Sequence, residues 1–254
     1  MTPRNRSYRV ATLILLLTVL PTLPTWAEEE IPFDVARVFF QLNDTDGDLG
    51  FHAILDGEPW KNLEIESPSE RTLLDISTRS SLQRQGLTEL RFESAEPTFD
   101  ELDPAEFFQR FPEGVYEVEA DTLEGDELES EVVISHVLPA PPENLNVSGF
   151  TVPEDCDEEP IPVIVGDVII GWDEVTESHP EIGLAGPIEI VRYEVSVERE
   201  EPTALTLTAD LNPETLEFRV PLELLDSGDE IKFQVLATDE GGNETSSESC
   251  FIVQ

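Results

Sequence analysis

Apolar and polar side chains alternate with a period of two in thirteen short runs spread over most of this chain. Positions 36–42 (ARVFFQL), 49–56 (LGFHAILD), 62–66, 72–78, 88–94, 115–121 and 131–137 carry the pattern in the first half. Positions 168–172, 191–197, 203–209, 216–220, 231–238 and 248–253 carry it in the second. A period of two sends successive side chains to opposite faces of a strand, so each run buries one face and wets the other. Turn signals separate the runs: Asp46-Gly47, Asp56-Gly57, Pro68, Gly86, Glu113-Gly114 and Glu124-Gly125. Strands this short, spaced by about 8–12 residues, predict an all-β sandwich. One short helix is expected at 103–110. Asp103 caps it, Pro104 fits its first position, Glu106 follows three after the cap, and Phe107, Phe108 and Phe111 dock it on the sheets.

The chain divides at Leu138-Pro139-Ala140-Pro141-Pro142. Three prolines in four residues cannot join a central strand and stiffen an extended connection. Two units are therefore expected in tandem, 33–137 and 143–254, each a β-sandwich with its own core. A hydrophobic content of 39% with 13 Phe supplies those cores, so the high charge does not signal disorder.

The charge is extreme. There are 14 basic and 56 acidic side chains, a formal net charge of -42. Three of the basic ones, Arg4, Arg6 and Arg9, precede an apolar run at 10–20, followed by Pro21, Pro24 and Thr25-Trp26-Ala27. That order reads as a signal peptide over 1–27, cleaved on export, because the apolar run is short against the roughly 20 residues a spanning helix needs. The mature chain keeps 11 basic residues against 56 acidic ones. Such a surface repels phosphate backbones and anionic lipid, which disfavours nucleic-acid and membrane-surface binding, and it attracts cations and basic partners. Dense carboxylates also predict folding that weakens at low salt.

The second half resembles a fibronectin type III domain. The likeness is carried by Pro141-Pro142-x-x-Leu145, Trp172, Tyr193-x-Val195, the run from Leu225 to Ala237, and Gly242-Asn243. It implies a seven-stranded sandwich with Trp172 in the core on the second strand, and a contact loop at Asp239–Asn243. Two features depart from it: Ile231 stands where a corner Tyr is usual, and 151–166 is long. The first half is similar to an uncharacterised exported bacterial domain that precedes such modules, through Asn43-Asp44-Thr45-Asp46-Gly47-Asp48-Leu49-Gly50-Phe51-His52, Leu87–Leu90 and Phe92-Glu93-Ser94-Ala95-Glu96-Pro97. That resemblance brings no activity with it.

Candidate chemistry is sparse. Asp44, Asp46 and Asp48, at i, i+2 and i+4 beside Gly47, form a candidate calcium loop, since calcium takes six to eight oxygens. Leu49 and Leu55 replace the Gly and Glu that a helix–loop–helix calcium site needs. The competing reading is a solvated acidic hairpin turn. Cys156 and Cys250 are an even pair in an exported chain, where a disulfide closing about 95 residues would constrain the unfolded state by roughly 4 kcal/mol; two free thiols are the alternative. The three histidines, His52, His136 and His179, form no metalloprotease motif, and neither G-x-S-x-G nor a glycine-rich phosphate loop occurs. Trp60 reads as core or as an exposed sugar platform. The expectation is a non-catalytic binding or structural module of the cell exterior whose sandwich loops meet a protein or other cell-surface macromolecule. Calcium-dependent adhesion or stabilisation through the Asp44–Asp48 loop is the second reading, and a carboxylate-pair hydrolase the third.

Overall fold

The computed structural model describes residues 30–153, 156, 160–200, 203–226 and 228–254. The expected signal peptide lies outside them. The all-β expectation holds. The first half contains β1 (Glu30–Ile31), β2 (Val35–Asn43), β3 (Asp48–Glu66), β4 (Thr72–Ser77), α1 (Ser80–Gln85), β5 (Leu87–Glu93), α2 (Pro104–Arg110), β6 (Gly114–Thr122) and β7 (Glu127–Ile134). The second contains β8 (Asn146–Val147), β9 (Phe150–Thr151), β10 (Val163–Ile164), β11 (Ile169–Gly171), β12 (Ile190–Arg199), β13 (Leu205–Leu211), β14 (Glu217–Arg219), β15 (Glu230–Asp239) and β16 (Glu244–Val253). No helix among the described residues is long and apolar enough to cross a membrane.

One strand corrects the sequence reading. Two runs were expected at 49–56 and 62–66, with a turn at Asp56-Gly57; the chain instead makes the single 19-residue β3. Gly57 serves close packing rather than a turn: a Cβ there would lie 3.2 Å from Leu128 and 3.3 Å from Phe33. Irregular register on either side of Trp60 bends the strand. Its first half pairs with β2 and β5, its second with β4 and β6. Trp60, at the bend, is fully buried, which removes the sugar-platform reading. The helix α2 forms where expected. The Asp103 carboxylate accepts from Ala105 N at 2.8 Å, and Phe107 and Phe108 pack edge-on against Phe40. The short α1 buries no side chain and leaves no apolar period in the sequence to find it by.

The second unit has two layers. The strands β14-β11-β8-β9 form one, and β13-β12-β15-β16 belong to the other. This is the strand arrangement that the fibronectin type III resemblance implies. Trp172 follows β11 directly, is 4% exposed and packs on Tyr193 with ring centroids 5.4 Å apart. Ile231 is fully buried at the place of the missing corner Tyr. In the first unit Tyr116 makes a bond of that corner type, its hydroxyl donating to Pro112 O at 2.9 Å.

The two units share one sheet. β2 and β16 pair in parallel, Glu244 opposite Gln41, Thr245 opposite Leu42 and Ser246 opposite Asn43. The order β1-β7-β6-β3-β2-β16-β15-β12-β13 is therefore continuous. Two apolar clusters persist on either side of this seam, one around Phe40, Trp60 and Tyr116, the other around Trp172, Tyr193 and Phe233. The expected contact loop at Asp239–Asn243 gives its last residue to the seam, while Glu240 and Gly241 at its tip stay exposed. Asn243 is 2% exposed; its Oδ1 accepts from Phe40 N at 3.0 Å, and its Nδ2 donates to Ser135 O and Val137 O, both at 2.8 Å. The proline-rich connection is also covered. The segment between β11 and β12 crosses it, with Ala140 N donating to Glu177 O, His179 N to Leu138 O and Leu184 N to His136 O. Gly183, at φ 78°, sits where a Cβ would collide with His136 O.

Asn243→Ala leaves a buried amide and two carbonyls without partners at the seam. We expect denaturant unfolding to show a loss of about 3 kcal/mol, with the single transition splitting in two. A loss under about 1 kcal/mol would contradict this role.

Candidate functional site

The turn between β2 and β3 holds Asp44 and Asp46, and Asp48, the third aspartate singled out in the sequence, opens β3. Asn43 organises it, its Oδ1 accepting from Thr45 N and Asp46 N and its carbonyl from Gly47 N at 2.9 Å. Gly47 takes φ 66°, a conformation open to glycine. The three carboxylates meet different partners. Asp44 Oδ1 lies 3.0 Å from His179 Nε2, across the two units. Asp46 Oδ2 accepts from Asn43 Nδ2 at 3.1 Å. Asp48 faces Glu96 and Glu93, and its carboxyl is pushed up to about 6 by burial first, then by Glu96, Asp46 and Glu93. His179 Nδ1 accepts from Glu181 N and Ile182 N, which places the ring proton on Nε2, donated to Asp44.

Among the described residues, one group of three metal-ligating side chains brings its donor atoms within 4.8 Å of one another: His52, Glu93 and Glu96. His52 and Glu93 are cross-strand partners on β3 and β5. Glu96 follows β5 in a stretch held under the turn by Phe99 N donating to Gly47 O at 2.8 Å. His52 Nε2 and Glu96 Oε1 are 2.8 Å apart, and the imidazole stacks on Phe39 at 5.4 Å. Sequence reasoning missed this group, because His52 alone on a strand face carries no signal. The signal was the register that sets a carboxylate opposite it.

His52 and Glu93 also line a groove of about 820 Å³ on the face of the continuous sheet, walled by both units. Arg37 and Arg91 enter it from the first unit and Arg192 from the second. Arg37 and Arg192 reach the same Glu244 oxygen, at 2.7 and 2.9 Å, and that side chain is 6% exposed. Arg192 also holds Asp210 at 2.9 Å, and Arg37 lies over the Phe39 ring at 4.5 Å. Three of the chain's 14 basic residues thus gather in one groove, already engaged by carboxylates.

The fold brings Cys156 beside Cys250 as thiols, with no bond between the sulfurs. The Cys156 thiol is pushed well up, by burial first and then by its hydrogen bond with Cys250. Ser249 Oγ donates to Pro153 O at 2.6 Å, which holds the segment before Cys156 against β16.

No family model matches this chain, and no curated protein does. Solved structures with a similar course of strands include a two-domain fibronectin type III segment of chicken tenascin, 11% identical, covering 87% of this chain and 98% of that one with a TM-score of 0.31. The chicken CNTN1 FN1–FN3 domains match at 8% identity over 90% of this chain and 66% of that one, with a TM-score of 0.34. A cytokine receptor complex matches at 14% identity over 86% and 96%, with a TM-score of 0.27.

Burial also pushes Asp239, at the seam, from 3.8 up to about 6, against the lowering effect of the backbone amides of Asn243, Gly242 and Gly241. A raised carboxyl favours the protonated fold. Its contribution is complete below about 3.8 and is lost as pH rises through about 6. Glu194 and Glu248 shift the same way, each chiefly by burial. Tm should therefore rise on going from pH 7.5 to pH 5, and less so in Asp239→Asn. A Tm that falls over this interval would contradict the assignment.

Proposed function

We propose that this chain is an exported, non-catalytic binding or structural module of the cell exterior, in which two β-units act as one rigid body toward a macromolecular partner. The observation that carries this reading is the parallel pairing of β2 with β16, which holds the groove walls of both units in fixed relation. A flexible tandem would present its loops independently; a shared sheet presents one composite face. The mixture of Arg37, Arg192, Phe39 and Ile54 with carboxylates in that groove suits a protein surface that offers both charge signs. It does not suit a polyanion, given the surrounding acid. Photo-crosslinking side chains placed at Gln41, Ile54 and Thr208 in the producing cell test this. We expect adducts of one discrete mass at these groove positions and none at Glu70 on the far turn. Groove positions that give no adduct would contradict the reading.

The adjacency of Cys156 and Cys250 supports closure of a disulfide between them once the chain reaches an oxidising compartment. It would tie the long segment before β10 to the last strand of the second unit. Denatured, non-reduced mature protein should then show no thiol accessible to alkylation. Two alkylated cysteines would contradict both the link and the export on which it depends.

A further inference from the structure

We propose that His52, Glu93 and Glu96 form a binding site for a borderline-soft divalent metal ion of the zinc class. The donors are one imidazole nitrogen and two carboxylates, converging within 4.8 Å. Imidazole favours zinc and its neighbours, whereas calcium requires six to eight oxygens. Three protein donors leave a tetrahedral ion one further position, the arrangement of an open zinc site.

The surroundings fit an ion. The His52 Nε2 to Glu96 Oε1 separation of 2.8 Å is close to the ~3.3 Å between ligands of a tetrahedral ion with bonds of ~2.0–2.1 Å, so these two donors need part by only about half an ångström, and Glu93, within 4.8 Å of both, closes on the ion from the neighbouring strand. The ion takes the place of the proton between these atoms. The neutral ring then carries its proton on Nδ1. Gly50 is the independent observation. A Cβ at this β3 position would fall 2.6 Å from His52 Nε2 and still closer to Glu96 Oε1, so the absence of a side chain is what lets both donors meet. His52 is held by its stack on Phe39 and is 8% exposed, and a fixed donor loses little freedom on binding. The neighbouring Asp48 adds negative potential beside the two glutamates. His52 and Glu93 also line the groove between the units, so the site adjoins it.

The test is zinc titrated calorimetrically into untagged, metal-stripped mature chain, with cobalt as a spectroscopic substitute. One ion should bind per chain, with visible cobalt bands. Glu96→Gln and His52→Gln should each weaken binding about 10–100-fold or more. Gly50→Ala should weaken it too, while Asp46→Asn should not. Imidazole NMR of the unsubstituted chain, which has three histidines, covers the case of a variant that fails to fold. There zinc should shift His52 and leave His136 and His179 in place. Any of three results would overturn the proposal: no uptake at about 100 μM zinc, zinc shifts at His136 or His179 instead, or calcium binding that Asp46→Asn abolishes. The outcome is independent of whether the chain binds a macromolecule.

Discussion

The structure depends on one seam, where three residues of β16 pair in parallel with three of β2 and the Asn243 amide joins both units. A parallel pair cannot be made by a tight hairpin; its strands must come from distant parts of the chain. Here some two hundred residues separate them. Asn243 then satisfies one donor of β2 and two carbonyls of the connecting segment. Without it those groups would be buried and unpaired, because apolar side chains pack on both sides.

Scarce positive charge is placed according to the same logic. In a chain with 14 basic residues against 56 acidic ones, Arg37 of the first unit and Arg192 of the second both reach one nearly buried Glu244 carboxylate. The arginines stay about a quarter exposed, but the carboxylate is not, so Glu244 is costly to leave without its partners. The exposed pairs elsewhere, such as Arg110–Glu106 and Arg91–Glu89, contribute little. Arg199 is another buried cation, held between Asp226 and Asp229. Many of the remaining carboxylates coat the outside; Glu129 is raised first by Glu30, whereas Glu66 and Glu119 are raised first by burial and then by neighbouring glutamates.

The strands and α2 were legible in the sequence because period-two alternation and Asp103-Pro104 are local signals. So was the core position of Trp172. The merging of two runs into β3 was not: Asp56-Gly57 has the composition of a turn, and only the approach of Leu128 and Phe33 shows why the glycine is there. The seam was illegible for a different reason. Pro139 to Pro142 signals a break in the sheet along the chain, yet the sheet is continued by strands far apart in sequence. The aspartates at 44, 46 and 48 were visible as a cluster, but side chains two apart on a tight turn point in different directions. Asp44 goes to His179, Asp46 to Asn43, and Asp48 toward Glu93 and Glu96. The group at His52 came from strand register, which a single sequence does not display.

The fold requires the two units to be one rigid body, and residual dipolar couplings on the weakly aligned full chain measure that most directly. If the seam holds in solution, a single alignment tensor fits the amides of residues 33–137 and those of 143–254 together. Two tensors that differ in magnitude or orientation would mean that the units move independently, and the seam would have to be abandoned.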